Sequence, residues 1–264
     1  MHNQWLPDGQ AKVASIPKDA RVLVLGQLLS AMDAERALLR QEHKGEIVDV
    51  SRSGLQHFEY PLDINTVDLQ LPKPRFIENL KTGDTTGAIA EMLKEFEELT
   101  GLKVDPKYHK ISGDAWLETA FNERAHYLPE QVLKQWEKHN PEVVSYIGVK
   151  QFGKILKQYS SLIGVLRIGV GHDICEELRN KVTHYTAEIE HVERLPLSKG
   201  GHMAVKFNSK SQPESFDYII SGLGPDYDYR NIKDPLWKNM MARGYTSPHD
   251  VGIGIQIDID PKTH

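Results

Sequence analysis

Residues 20–55 constrain the fold more than any other part of the chain. A short run of leucine and valine ends at Gly26, and the apolar residues within 31–41 recur on one helical face behind Ser30, a candidate helix cap. A Lys-Gly pair ends that helix, and a second β-branched run covers 46–52. Short apolar runs of this kind are typical of parallel strands that are buried on both faces. The segment therefore predicts a strand–turn–helix–strand unit of an α/β protein.

Length and composition exclude several classes of protein. The chain has 264 residues, of which 39% are hydrophobic and 26% charged, and its formal net charge is −5. These values are ordinary for a globular protein, and they exclude a fibre, a coiled coil and a disulfide-stapled miniprotein. The slight acidic excess gives no electrostatic indication of nucleic-acid binding.

The cysteine content and the apolar runs bear on the compartment. Cys175 is the single cysteine, so no intramolecular disulfide is possible and a reducing compartment is favoured. The N-terminus has no apolar stretch behind a basic start, which argues against a secretory signal. The run 162–170 contains Arg167 and is too short to cross a membrane. We therefore expect a cytoplasmic protein without a membrane partner.

The remaining sequence predicts a mostly helical middle followed by strands. Periodic or capped stretches predict helices over 88–99, 115–125, 129–139, 151–163 and 173–181. Alternating or β-branched runs predict strands over 183–195, 203–207, 216–221 and 251–260, and a helix over 235–243 interrupts them. A proline-punctuated loop, 61–74, links the first unit to the helical part.

The turn at Gly26 has the geometry that a dinucleotide pyrophosphate requires. A strand that ends in glycine and leads into a helix offers unpaired N–H groups and a partial positive charge to phosphate. Only the first glycine of the G-x-G-x-x-G/A pattern is present, because Leu28 occupies the second position, whereas Ala31 suits the third. The motif alone leaves two interpretations open, a dinucleotide site and a plain α/β crossover.

The end of the second predicted strand bears on the choice of nucleotide. An acidic residue there accepts a hydrogen bond from the ribose 2′-hydroxyl of NAD, whereas an arginine favours the 2′-phosphate of NADP. This strand ends at Ser51 and Arg52, and Asp49 lies earlier within it. The pattern favours NADP if a nucleotide binds; the alternative is that Arg52 is an ordinary surface residue.

Several blocks in order resemble one family. The blocks are 16–26, 29–33, 45–55, 216–225, 235–245 and 247–258. They resemble the second Rossmann unit of the bacterial FAD/NAD(P)-binding flavoproteins. That family includes proteins similar to FAD-dependent urate hydroxylase and is distantly similar to the N-hydroxylating flavin monooxygenases. The resemblance implies a flavin oxidoreductase in which NAD(P)H reduces FAD.

The chain also departs from that family. Members begin with an FAD-binding G-x-G-x-x-G loop and return to the FAD domain near their end, and neither feature is found in these 264 residues. A stretch that is often rich in His and Arg in the family corresponds to 164–171, where only Arg167 is basic. We therefore expect FAD only from a partner polypeptide or from missing segments, and we expect no catalytic residue in this chain.

The candidate site follows from the turn and the resemblance together. The predicted cofactor-binding residues are Gly26, Gln27, Leu29, Ser30, Ser51, Arg52, Gly222, Gly224 and Pro225. No metal site is expected, because the twelve histidines form no ligand pattern beside a carboxylate. His172 and Asp173 fit a functional turn or a helix N-terminus, and Asp226 and Asp228 fit an acid–base pair or a solvated loop. Cys175 fits a small packed residue better than a nucleophile.

These observations predict an α/β fold with a Rossmann-like NAD(P)-binding unit, a helical insertion and a β-rich return segment. The chain is expected to be one incomplete dinucleotide-binding domain over 1–264, with the βαβ nucleotide unit at 16–60, the insertion at 61–182 and the return at 183–264. The predicted function is the NAD(P)H-binding portion of a flavin-dependent oxidoreductase. The alternative is a degenerate, non-catalytic nucleotide-binding-like module or a truncated gene product.

Overall fold

A computed structural model describes residues 2–3, 8–60, 62, 64–65, 70–113, 116–118, 125–196, 202–224 and 226–256. Its strands are β1 His2–Asn3, β2 Val22–Leu25, β3 Ile47–Ser51, β4 Ile64–Asn65, β5 Lys103–Asp105, β6 Lys110–Ser112, β7 Trp116–Glu118, β8 Ala125–Tyr127, β9 Val182–Thr186, β10 Ile189–Arg194, β11 Met203–Phe207, β12 Glu214–Phe216, β13 Tyr218–Ser221, β14 Ser247–Pro248 and β15 Ile255–Gln256. Its helices are α1 Gly9–Ala14, α2 Leu29–Leu39, α3 Phe76–Lys81, α4 Thr85–Thr100, α5 Leu128–Glu137, α6 Asn140–Ile147, α7 Val149–Gln158, α8 Ser160–Arg167, α9 His172–Leu178 and α10 Pro235–Ala242.

The chain divides into two compact units. The first comprises Met1–Leu71, Leu93–Gln135 and Ser161–Gly224, and the second comprises Pro72–Met92, Trp136–Ser160 and Pro225–His264.

A five-stranded parallel sheet in the order β1-β13-β2-β3-β9 forms the centre of the first unit. In register, Val24 of β2 lies opposite Asp49 of β3, which lies opposite His184 of β9. β2, α2 and β3 form the βαβ unit predicted from residues 20–55, because β2 and β3 are parallel and adjacent. The Rossmann-like α/β class expected from the sequence is thus confirmed by the strand order.

Two different layers cover this sheet. On one face the buried side chains of α2, Ala31, Ala34 and Leu38, pack with those of β2 and β3. On the other face Val205, Phe207 and Phe216 come from a three-stranded antiparallel sheet in the order β10-β11-β12 and pack on β2, β3 and β13. The main sheet is therefore buried on both faces, which explains why β2 is a continuous apolar run and why Asp49 has apolar neighbours on either side in β3.

The second unit is built largely from helices. α3 packs on α6, and α6 packs on α7. Phe76 and Trp136 meet edge to face with ring centroids 5.3 Å apart. Asp234 caps α10, because its side chain accepts hydrogen bonds from the N–H groups of Leu236 and Trp237.

Several sequence predictions need correction. The predicted helix over 115–125 is wrong, because Trp116–Glu118 and Ala125–Tyr127 are strands that pair with each other, and 119–124 lie outside the described residues. A short apolar run fits either period, and strand pairing decides between them. The predicted helix over 151–163 is two helices that meet at Tyr159.

The predicted strand over 251–260 is shorter than expected. Within its described part, 251–256, the strand is confined to Ile255–Gln256, because positive φ values at Gly252 and Gly254 turn the chain before it. Residues 257–260 lie outside the described part. The predicted run 183–195 divides between β9 of the parallel sheet and β10, which pairs antiparallel with β11 as expected for a hairpin.

Candidate functional site

The ends of three neighbouring strands define the candidate site. β3 and β9 lie on one side of β2, whereas β13 and β1 lie on the other, so the chain order reverses between β2 and β13. In open α/β sheets, ligands bind outside the carboxyl ends of the strands at such a reversal. We call this place the switch-point edge and define it as residues 25–31, 51–54 and 221–224.

Gly26 forms the turn at the end of β2. Its φ of +107° lies in a region that L side chains rarely adopt. Its N–H donates to the carbonyl oxygen of Val50 at 2.8 Å, and a Cβ atom here would lie 2.8 Å from the carbonyl oxygen of Gly222. Both conformation and space therefore require glycine at this position.

Gly222 and Gly224 lie in the turn after β13. A Cβ atom on Gly222 would lie 2.7 Å from Cα of Ala31 and 2.8 Å from the carbonyl oxygen of Leu25. Gly224 has a φ of +83°, and its Cβ position is 3.5 Å from Oγ of Ser30. The turn after β13 thus lies directly against the first turn of α2, and the structure brings these predicted residues together.

Helix α2 begins at Leu29 with Leu28 as its N-cap residue, so the prediction that Ser30 caps it is wrong. Leu28 has an extended backbone, and its carbonyl oxygen accepts hydrogen bonds from the N–H groups of Ala31 and Met32 at 2.8 and 3.1 Å. These backbone bonds define the cap position whatever side chain stands there. Ser30 is the second residue of the helix, two positions after the cap position.

Two leucines make part of the switch-point edge apolar. Leu223 is 71% exposed and Leu29 is 39% exposed. Pro225, the last residue of the predicted set, lies outside the described residues. The edge therefore combines exposed apolar side chains with the backbone of a helix N-terminus.

Ser51 and Arg52 mark the end of β3. Arg52 is exposed and makes no ion pair with any residue that the structure describes. The hydroxyl of Ser51 donates to Oε1 of Gln27 at 2.6 Å and accepts from the N–H of Gly54 at 3.0 Å. Ser51 thus holds the turn that follows β3, while Arg52 extends into solvent.

Gln27 is a buried residue of the switch-point edge. Its side chain is buried, and its Nε2 donates to Oδ1 of Asp49 at 2.8 Å and to the carbonyl oxygen of Tyr185 at 3.0 Å. The sequence analysis predicts Gln27 as a cofactor contact. The structure places its side chain in a bridge between the ends of β2, β3 and β9.

Asp49 is the centre of a buried polar network that the sequence prediction did not include. His184 Nδ1 donates to Oδ2 of Asp49 at 2.7 Å, from a side chain that is 48% exposed. Glu35 of α2 is 1% exposed, and Asp49 acts on its pKa. Its Oε1 atom is buried without a hydrogen-bond partner among the described residues.

The network perturbs two titrating groups in a common direction. Burial raises the pKa of Glu35 well above its usual range, and Asp49 raises it further. The hydrogen bond to Asp49 raises the pKa of His184 against the effect of burial. Both shifts favour the protonated form, which is neutral for Glu35 and cationic for His184.

A further cluster of charged side chains lies outside the switch-point edge. Glu59, His172 and Glu176 place ligand-type atoms within 4.8 Å of one another. Arg179, however, donates to Glu59 at 2.9 Å and pairs with Glu176 at 2.9 Å. Their charges are therefore already compensated by a guanidinium. His172 begins α9, and Gly171 rather than Asp173 is its N-cap residue.

Three further residues singled out in the sequence are Asp226, Asp228 and Cys175. Asp228 is paired with Arg230 at 2.5 Å, which lowers its pKa, and Asp226 accepts from the N–H of Asp228 at 2.9 Å. This arrangement is a stabilised loop. Cys175 is half-buried, and desolvation raises the pKa of its thiol, which opposes thiolate chemistry.

Comparison with known proteins adds distant structural similarities. No protein-family model matches the chain, and no curated protein matches it. Among solved structures it is similar to the lysine monooxygenase NbtG from Nocardia farcinica, with 15% identity, 87% of this chain and 36% of that chain covered, and a TM-score of 0.31. It is similar to the L-lysine 6-monooxygenase from Pseudomonas syringae, with 15% identity, 97% and 45% covered, and a TM-score of 0.35.

A third solved structure is the tetracycline destructase Tet(55), with 14% identity, 78% and 38% covered, and a TM-score of 0.28. The chain thus spans between 36% and 45% of the length of these proteins. The fold assignment therefore rests on the strand order of the parallel sheet. In the described part of the chain, every helix falls short of the length and apolar character that crossing a membrane requires.

Proposed function

We propose that the chain binds NADP(H) at the switch-point edge and is the NAD(P)H-binding portion of a flavin-dependent oxidoreductase. The observation that carries the proposal is the convergence of Gly26, Gly222 and the first turn of α2 at the point where the strand order reverses. Such a crevice is where open α/β sheets bind nucleotides. Arg52 lies at the end of the neighbouring strand.

The pyrophosphate fits the N-terminus of α2. The first turn of a helix offers N–H groups and a partial positive charge to an anion. Gly26 makes the turn that leads from β2 to this helix, whereas Leu28 carries a side chain at the position of the second motif glycine. Because Leu28 has φ −106° and ψ −172°, which leucine adopts without strain, its effect on a phosphate is steric only.

The adenosine ribose fits the end of β3. The guanidinium of Arg52 is exposed and free of ion pairs with described residues, so it is available to a 2′-phosphate. A guanidinium binds phosphate through two parallel hydrogen bonds. This favours NADPH over NADH, because NADH has a hydroxyl at the same position.

The redox chemistry belongs to the cofactors. When both are bound, the nicotinamide supplies a hydride to the flavin. Residues of this chain bind the dinucleotide, orient it and exclude water through Leu29 and Leu223. The FAD comes from a partner polypeptide or from segments beyond this sequence, and we assign no catalytic residue here.

The decisive experiment measures nucleotide affinity by calorimetry with NADPH, NADH and FAD. NADPH is expected to bind more tightly than NADH. Arg52→Ala should weaken NADPH binding roughly 10- to 100-fold, the equivalent of about 1.5–3 kcal/mol for a charged hydrogen bond, and leave NADH unchanged.

Arg194→Ala is the matched control. Arg194 is an exposed arginine near the amino end of the parallel sheet, the end opposite to the switch-point edge. Its neighbour Leu195 donates a backbone hydrogen bond to His202, whose side chain is bonded to Asp217 just before β13. The Arg194→Ala variant should leave both affinities unchanged. Equal affinity for NADPH and NADH that Arg52→Ala does not alter would contradict the assignment of the 2′-phosphate site.

Leu28 distinguishes the alternative, a degenerate nucleotide-binding-like module. If the unmodified chain binds no dinucleotide and Leu28→Gly gains NADPH binding, the phosphate approach is blocked and the alternative is correct. If the unmodified chain binds NADPH tightly, the alternative is excluded.

A further inference from the structure

We infer that Glu35, Asp49 and His184 form a proton-linked network that holds the turn after β3 in place through Gln27 and Ser51. The inference rests on an unbroken series of hydrogen bonds from a half-exposed imidazole to the switch-point edge. Its consequence for nucleotide binding depends on the proposed function, whereas its effect on the turn does not.

The series begins at the outer strand of the sheet. His184 Nδ1 lies 2.7 Å from Oδ2 of Asp49, and Gln27 Nε2 donates to the other carboxylate oxygen, Oδ1, at 2.8 Å. Glu35 on α2 is the third member of the network, because Asp49 raises its pKa. Asp49 therefore accepts one hydrogen bond on each carboxylate oxygen, from His184 and from Gln27.

The series ends at the turn that carries Arg52. Gln27 Oε1 accepts from the hydroxyl of Ser51 at 2.6 Å, and Oγ of Ser51 accepts from the N–H of Gly54 at 3.0 Å. Gly54 has a φ of +66°, and its Cβ position is 2.3 Å from Oγ1 of Thr186 at the end of β9. The turn is thus held in a tightly defined place by the amide of Gln27.

Asp49 is the charged residue that acts on both Glu35 and His184, and it raises the pKa of each. The other charged groups where α2 packs on α9, Arg36, Arg40 and Glu177, are paired with one another. Asp33 on α2 is exposed.

Both protonations stabilise the network at lower pH. His184 has a raised pKa when folded, so its contribution is complete below the unfolded value of 6.5 and is lost as the pH rises through the folded value. Glu35 also has a raised pKa, so its ionisation at higher pH places a second buried charge against Asp49. Rising pH therefore weakens the contacts of Asp49 and, through Gln27, those of Ser51.

The buried Oε1 of Glu35 makes the arrangement sensitive to that ionisation. An unpaired polar atom in a buried place is costly, and an unpaired charge costs more. Since Oε1 of Glu35 has no hydrogen-bond partner among the described residues, no donor there compensates a charge on that atom. Loss of its proton is expected to separate Glu35 from Asp49.

The test follows the exchange protection of the Gly54 amide by NMR in the full chain between pH 6 and 9. After correction for intrinsic exchange, protection should fall at least about tenfold over this range, because an equilibrium linked to one proton changes up to tenfold per pH unit. Glu35→Gln and His184→Gln each replace a titrating group with a neutral amide of similar size. In these variants the pH dependence should shrink, and in the double variant it should vanish.

His202→Gln is the matched control. His202 is a half-exposed histidine that bonds to Asp217 in the same unit, at the amino end of the sheet. Its substitution should leave the protection of Gly54 unchanged at every pH. A pH-independent protection factor in the unmodified chain would overturn the inference, as would an unchanged pH profile in the double variant.

NADPH affinity measured over the same pH range separates this inference from the proposed function. The expected result is weaker binding at higher pH in the unmodified chain and a flat profile in the double variant. If NADPH binds at no pH while Gly54 protection follows the pH as expected, the proposed function fails and the network stands. If NADPH binds with a pH profile that the double variant does not change, the network fails and the proposed function stands.

Discussion

Replacing Gly222 by alanine tests how closely α2 approaches the end of β13. The new Cβ would lie 2.7 Å from Cα of Ala31, 2.8 Å from the carbonyl oxygen of Leu25 and 2.9 Å from Cβ of Ala31. These atoms belong to the backbone or are bonded directly to it, so no side-chain rotation relieves the overlap.

The cost follows from these distances. Carbon atoms in contact prefer separations of about 3.5–4.0 Å, so α2 and the turn after β13 must separate by roughly 1 Å. Overpacking of a buried position costs about 1–3 kcal/mol of stability. Because the overlap here is between two rigid elements, we expect a cost of about 3 kcal/mol. We expect Gly222→Ala to lower the free energy of unfolding by that amount.

Urea unfolding followed by far-ultraviolet circular dichroism measures the effect. Gly164→Ala is the control, because Gly164 lies within α8 and a Cβ there meets no atom within 4 Å. Alanine in a helix interior stabilises by about 0.5–1 kcal/mol relative to glycine, so the two variants should change stability in opposite directions. A Gly222→Ala variant as stable as the unmodified chain would refute the close approach of α2.

Three further predictions concern individual elements. Asp234→Ala removes the cap of α10 and should cost about 0.5–2 kcal/mol, measured by thermal unfolding. Burial lowers the pKa of His57, whose Nδ1 lies 2.7 Å from the carbonyl oxygen of Ile168, so stability should fall as the pH drops below 6.5, and His57→Gln should abolish that loss in urea titrations. The hydrogen bond from Arg36 lowers the pKa of Glu177, so its stabilisation is present above the unfolded value of 4.5 and is lost as the pH falls further; Glu177→Gln should flatten this acid limb in the same titrations.

The parallel core was predictable because its signals are local. β2 and β3 are short apolar runs, Gly26 ends the first of them, and the helical face between them begins at Ala31. The neighbours of these strands were not predictable, because β13 and β9 pair with them from positions far along the chain. Strand pairing at long range leaves no mark on the spacing within either strand.

The predicted edge residues and the missed network illustrate the same limit. Glu35 falls on the same helical face as the buried residues Ala31, Ala34 and Leu38. Asp49 likewise lies between buried apolar residues of its strand. Each residue alone resembles a surface charge that happens to fall on an apolar face. Only the structure brings them together, because their interaction joins a helix to a strand.

The glycines of the switch-point edge are poor reporters of nucleotide binding, because packing alone requires them. Gly26 and Gly222 are confined by backbone atoms within 2.8 Å, so a substitution that abolishes binding there would also displace α2. Arg52 differs from them, because it is exposed and makes no ion pair with any described residue that its removal would break. An affinity change on Arg52→Ala that affects NADPH but not NADH has no explanation in the stability of the fold. The discrimination between the two nucleotides, rather than the glycine pattern, is therefore the property that decides whether this edge is a binding site.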